Sequence, residues 1–261
     1  MPSQDPIPAL LSPNVSGHPY SSLTLITSTL GATTNWLLLR FVCAATKDKR
    51  HGAGHDILSN QVSSHKQRVV LVSWLRDGVW WRESGRKLGL DFQNVHLVDG
   101  LSCGLGLGAG GIADVEKAII EAMKSKETLS DEGKVILVLD GLDFLLAATG
   151  YEVLGVLDMV GELREHVYST VIATAADLPL SQSPTTPLEI SHTAFVMSLA
   201  HQARSIMSVR GLDTGVAKDI SGVLRVSKGG GESAGEGDVE ESECLYYVGS
   251  DGGVKVFERG A

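Results

Sequence analysis

Apolar runs of strand length alternate with helix-like stretches five times along this chain, and that alternation decides its fold class. The runs are Leu23–Thr27, Val69–Ser73, Val95–Val98, Val135–Asp140 and Thr170–Thr174. The helix-like stretches are Trp36–Ala45, Gly78–Leu88, Ile112–Lys124, Glu152–Val167 and His192–Arg204. In the fourth of these, apolar residues fall at 153, 156, 160, 163 and 167, the 3.6-residue period of a helix that buries one face. Strands that are apolar throughout, instead of alternating, are covered on both faces. That is the condition of a parallel sheet flanked by helices.

The last quarter has a different rhythm. Ile206–Arg210, Gly222–Ser227, Leu245–Val248 and Val254–Phe257 are short strands joined by turn-rich loops, with Gly249–Gly253 as a hairpin turn. A parallel core with an antiparallel C-terminal β extension gives an α/β, RecA-like architecture. The expected organisation is a flexible N-terminal arm over 1–20, which holds five of the eight prolines, and a single domain over 21–261. Lys47–Lys66, Ser102–Gly111 and the Gly/Glu/Ser-rich insert Gly229–Glu243 are expected as flexible loops.

In a nucleotide-binding protein of this class, the turn after the first strand would read Gly-x-x-x-x-Gly-Lys-Ser/Thr. Here it is Ser28–Asn35 (STLGATTN), with one glycine and no lysine; the next lysine is Lys47. Backbone amides at a helix N-terminus still attract anions, but the cation that steadies the β- and γ-phosphates is missing. Farther on, Asp140 ends an apolar strand and Asp143 follows three residues later, where the magnesium-holding acids of an ATPase would stand. Without the lysine and hydroxyl partners, Asp140 is expected instead to bond loop amides or cap the next helix. Asp99 ends its strand in the same Asp-Gly-Leu pattern.

The chain has 261 residues, 43% of them hydrophobic, enough for a full core, and its net charge of −9 argues against bulk attraction to nucleic acid. A local basic patch stays open. Cys43, Cys103 and Cys244 form no Cys-x-x-Cys pair, which favours a reducing compartment. No signal peptide is read, and no apolar run reaches the ~18 residues that span a bilayer. The expected localisation is cytoplasmic, with the nucleus left open, and no membrane partner is expected. Gly106-x-Gly108-x-x-Gly111 matches a dinucleotide fingerprint as a string, but Gly106 comes eight residues after Val98 and no strand-ending acid follows at the right distance. It is expected to be a glycine-rich loop. His51 and His55 have zinc-ligand spacing only on a helix, which their glycines oppose. His192 and His201 are expected as packed or partly exposed side chains. No metal, cofactor or catalytic residue is expected.

Two clusters are candidates for contact with other molecules. Trp74, Trp80 and Trp81 lie among Arg76, Arg82, Arg86 and Lys87, which suits base stacking with phosphate contact and, in preference, a protein interface. Arg210, Lys218, Arg225 and Lys228 fall on or beside the first C-terminal strand pair. They read either as nucleic-acid contacts, as a basic edge facing a neighbour's nucleotide, or as a charged guard on a sheet edge.

Leu25–Phe41, Val69–Phe92 and Ser198–Gly230 resemble the Elongator complex protein 6 family in its fungal form. Asn35–Arg40 (NWLLLR), Ser73–Asp77 (SWLRD) and Leu212–Val216 (LDTGV) carry most of the likeness. The resemblance implies a RecA-like fold without standard nucleotide motifs. It also implies a hetero-hexameric ring with Elongator complex proteins 4 and 5, an accessory module of Elongator beside the remaining subunits. That ring is associated with tRNA and its ATP-dependent release, while the chemistry at carbon 5 of the wobble uridine belongs to another subunit. The main alternative is a divergent RecA-like ATPase acting at its own site; a dinucleotide-dependent oxidoreductase rests only on the glycine run.

Overall fold

A computed structural model describes residues 8–16, 18–46, 67–102, 110–125, 134–177, 184–215, 217–231 and 239–258. The five apolar runs are strands β1 (Ser22–Ser28), β2 (Arg68–Ser73), β3 (Val95–Asp99), β4 (Val135–Asp140) and β5 (Ser169–Ala175). With β6 (Ser205–Arg210) they pair in parallel, in the order β3-β2-β4-β5-β1-β6. Three further strands, β7 (Gly222–Lys228), β8 (Ser242–Val248) and β9 (Val254–Glu258), continue the sheet antiparallel from β6.

The helices follow from how parallel strands must be joined. A crossover between parallel strands is right-handed, so reversing the direction of travel across the sheet puts the next helix on the other face. From β1 the chain moves outward to β2 and β3, and α2 (Asn35–Thr46) and α3 (Gly78–Lys87) lie on one face. It then turns back through β4 and β5 to β6, and α4 (Ile112–Lys124), α5 (Phe144–Thr149), α6 (Val153–Glu165) and α7 (Pro187–Gln202) lie on the other. The strands serve both layers by their period of two: Val69 and Leu71 enter the first core, Val70 and Val72 the second. Ligands of such sheets bind outside the carboxyl ends of the strands, where the chain leaves toward opposite faces. The carboxyl ends of β1, β2, β4, β5 and β6 therefore frame the site.

Three sequence expectations need correction. The segment read as an arm contains a 3-10 turn at Ala9–Leu11 and α1 (Ser12–Val15), and buries Leu11 and Val15 in the first core. Proline at the start of α1 supports the helix instead of breaking it, because its missing N–H has no partner there. The insert also has narrower bounds. Gly229, Gly230 and Gly231 donate to Arg204, Ala200 and Ala203, Val239 is buried, and Ser242 already belongs to β8. Only 232–238 of it lie outside the described residues. Finally, α7 begins at Pro187, well before His192, behind a capping box in which Thr186 and Glu189 exchange side-chain and backbone bonds.

Arg40 explains one of the distinctive sequence runs. It is buried within α2, donates to the carbonyl of Trp36, and donates at 2.8 Å to the carbonyl of Gly252. The Gly249–Gly253 turn, where Gly252 takes φ +82°, is thereby tied to the helix.

Candidate functional site

The β1–α2 turn is short and internally bonded. Ala32 N donates to Thr29 O at 2.9 Å, and Gly31 reverses the chain at φ +87°. Leu30, 91% exposed, donates its amide to the carboxylate of Asp177, just past β5. A carboxylate of the chain itself thus occupies an amide of the turn after β1. Beside it opens a cleft of about 540 Å³ lined by Thr29, Leu30, Asp177, Arg210, Gly211, Leu212 and Asp213. Among the described residues, the one cation lining it, Arg210, is held by Asp213 at 2.7 Å.

Asp140 does not behave as expected. It is fully buried and accepts a 2.7 Å bond from the Ser73 hydroxyl, not from loop amides. Ser73 Oγ in turn accepts from the amides of Leu75 and Arg76 at 3.3 and 3.0 Å. The pair therefore bolts the ends of β2 and β4 together and shapes the loop that carries Arg76. Burial pushes the Asp140 carboxyl up to about 6, opposed by the Ser73 bond and by Arg76, while Asp143 adds to the rise. Asp143 precedes α5 without a side-chain cap bond and lies 3.6 Å from the Nε2 of buried His192. His201 is exposed. Among the described residues no group of three or more His, Cys, Asp or Glu side chains is placed to hold a metal ion.

The second Asp-Gly-Leu strand end works differently. Asp99 accepts from the amides of Gly78 at 3.2 Å and Ser102 at 2.7 Å. Burial alone would raise its pKa, but the bonds from Ser102, Gly78 and Leu101 together hold the carboxyl below its ordinary value. These bonds fix the start of α3, which Asp77 also caps by accepting from Trp80 N at 2.7 Å.

The tryptophan cluster divides by depth. Trp74 and Trp81 are each 1% exposed and belong to opposite cores, so as partner-contact residues both are corrected to core side chains. Trp80 and Arg76 remain accessible, with the guanidinium 5.6 Å from the Trp80 ring centroid. Trp80 stands edge-on to Trp81 at 5.0 Å.

The C-terminal cations are not one cluster. Arg210 ends β6 at the strand-end edge, with Glu243 at 3.9 Å besides Asp213. Lys218 is exposed in the β6–β7 connection, and Arg225 is exposed in mid-strand between Ser208 and Glu243. Lys228 pairs with Ser205, five strand residues from the Arg210–Val223 pair, which is about 17 Å at a strand rise of about 3.3 Å. It therefore lies at the opposite edge of the sheet from the cleft. Cys103, His51, His55, Gly106 and Gly108 lie outside the described residues.

The Elongation complex protein 6 family profile matches residues 110–251, more than half of the chain, from α4 to the β8–β9 turn. The chain belongs to this family. The family is that of a non-catalytic accessory subunit of Elongator, and its place is in tRNA modification. No curated protein matches the chain. Among solved structures, it is similar to a KaiC-like protein of the hyperthermophilic archaeon Pyrococcus horikoshii OT3. The identity is 15%, with 97% of each chain covered and a TM-score of 0.60, a likeness of fold. The sheet order and this likeness make the fold RecA-like, as its sequence leads one to expect. Among the described residues, no helix is long and apolar enough to cross a membrane.

Proposed function

We propose that this chain is a structural, RNA-handling subunit of a hetero-hexameric ring built with Elongator complex proteins 4 and 5. The ring binds tRNA and supports modification of the wobble uridine at carbon 5 by another Elongator subunit. The family match over 110–251 carries this reading. The strand-end edge supports it, because Leu30, Leu75, Val79, Leu101 and Leu188 are exposed there as a neighbouring subunit's contact would require. Among the C-terminal cations, Lys218 and Arg225 are the accessible candidates for tRNA phosphates, and Lys228 for a neighbour across the far edge.

Nucleotide turnover is not a property of this chain alone in this reading. The β1–α2 turn lacks a lysine and presents its Leu30 amide to Asp177. Charge-assisted phosphate contacts, each worth about 1.5–3 kcal/mol, are therefore missing. Native mass measurement of the purified complex, with identification of co-purifying chains, tests the ring. The expected result is a six-chain mass with two partner proteins; a fully active monomer overturns it. Magnesium-dependent ATP turnover by the isolated chain, abolished by Asp140→Ala, would favour the ATPase alternative.

A further inference from the structure

Helix α3 is the described helix whose charge is both positive and exposed. It carries Arg82, Arg86 and Lys87 against Glu83, and Arg76 precedes it. Acids outnumber bases on α4, with Asp114, Glu116 and Glu121 against Lys117 and Lys124. The same holds on α6, with Asp158, Glu162 and Glu165 against Arg164, and α7 carries Glu189 with no lysine or arginine. In a chain of net charge −9, this is a local reversal of sign. The acids around it are engaged with the backbone and not paired with these cations. Asp77, Asp91 and Asp99 accept from backbone amides of Trp80, Gln93, Gly78 and Ser102. Among the described residues, none of Arg76, Arg82, Arg86 and Lys87 makes an ion pair.

We propose that this surface, Arg82, Arg86 and Lys87 with the Arg76–Trp80 stack beside them, is where the chain meets the phosphate backbone of tRNA. The proposal rests on the tRNA-binding reading above and assigns it to a different surface from the C-terminal strands. Arg82 and Arg86 are one helical turn apart, so their side chains are neighbours on one face. From residue 82 to 87 the outer surface presents charged and small side chains only. Protein interfaces are depleted of charge at their centre, so this strip suits a phosphate array better than an acidic protein. The Arg76 guanidinium over the Trp80 ring adds a flat cationic surface on which an unpaired base stacks. The surface is also rigid: Trp81 is buried beneath it, and a Cβ at Gly85 would lie 2.5 Å from the Phe92 ring.

The test is a titration of labelled tRNA with the assembled complex at several salt concentrations. Arg82→Glu, Arg86→Glu and Lys87→Glu are made together, and Lys218→Glu with Arg225→Glu as the comparison. Because glutamate in a last helical turn opposes the helix dipole, a triple alanine variant of the same positions is carried alongside. Both α3 variants are expected to bind tRNA about tenfold or more weakly. They should also flatten the logarithmic salt slope by about two, since each lost phosphate contact contributes about 0.7–0.9. The Lys218/Arg225 variant is expected to lose less than about threefold, and Arg82→Lys with Arg86→Lys to keep most affinity, as charge governs such contacts. Unchanged tRNA affinity in the α3 variants overturns the assignment while the ring reading stands. Unchanged affinity with loss of an Elongator chain from the complex overturns it in favour of an acidic protein partner. A parent complex with no salt-dependent tRNA binding overturns both.

Discussion

Helix α3 with Arg76 and the β6–β7 strand pair with its connection carry four cations each, yet their electrostatics differ. Around α3 the acids serve the backbone: Asp77 caps the helix, Asp99 holds its first residue, and Asp91 opens the following 3-10 turn. On the strands the acids serve the cations, with Asp213 and Glu243 on Arg210 and Glu243 also paired in register with Arg225. Among the described residues, the same residue types therefore leave the cations of α3 without ion pairs and hold Arg210 in two. Counting charges along a segment misses this, because an aspartate committed to amides screens a neighbouring cation less than one in an ion pair.

The largest effect expected concerns how firmly the α3 surface is held. Trp81→Ala should cost about 3–5 kcal/mol in urea unfolding, as large aromatic-to-alanine changes in cores do. Trp80→Ala should cost less, about 1–2 kcal/mol, because its ring is only partly buried against the same core. Equal losses would show that α3 has no distinct inner and outer side.

The loop bearing Arg76 hangs on the Ser73–Asp140 bond, and its pH dependence has a definite sign. With the Asp140 pKa raised from 3.8 to about 6, the folded state binds more protons than the unfolded state between those values. Its contribution is full below pH 4 and is lost as pH rises through 6. At about 1.36 kcal/mol per unit, Asp140→Asn should gain on the parent by about 3 kcal/mol between pH 4 and 7. His18, which burial drives down to about 4, gives a slope of the opposite sign. The quantity to follow is therefore the difference between variant and parent at each pH. A constant difference would mean that Asp140 titrates normally.

A smaller effect would break the comparison between the two surfaces from the other side. Asp213→Asn with Glu243→Gln should release Arg210. tRNA affinity should then rise by about two- to fivefold, because exposed ion pairs are worth about 0.2–1 kcal/mol. No change would show that these strands face away from the RNA. Least of all is expected from replacing 232–238 with Gly-Ser sequence, within about 0.5 kcal/mol in stability and without effect on assembly. Gly229 must be kept, since a Cβ there would meet the Ala203 carbonyl at 1.9 Å.

What the sequence revealed and what it hid follow from the range of the interactions. β1 to β5 were legible because a run apolar on both faces has few other places to be, and the hairpin turn because its glycines are local. Helix α5 was missed, as six residues are too few to show a period. The start of α7 was missed although Thr186-Pro187-Leu188-Glu189 holds a local capping signal; Leu188 and Ile190 are exposed and break the apolar pattern. Which of two adjacent tryptophans faces inward depends on where α3 meets the sheet. The partner of Asp140 is Ser73, 67 positions away, so no spacing rule could have found it. The narrowing of the C-terminal candidates came from the contact of Arg210 with Glu243, a cross-strand neighbour that only the folded sheet defines.

Asp177 carries a consequence for evolution of the turn after β1. A carboxylate fastened to the same chain competes for the Leu30 amide as an intramolecular ligand, placed there by the pairing of β5 with β1. Any free phosphate must first displace it and then tolerate its charge. Placing a lysine in the turn would therefore not by itself create a phosphate site, because the resident carboxylate would claim the new cation as well. Two changes in separate elements, one at the turn and one past β5, would be needed together.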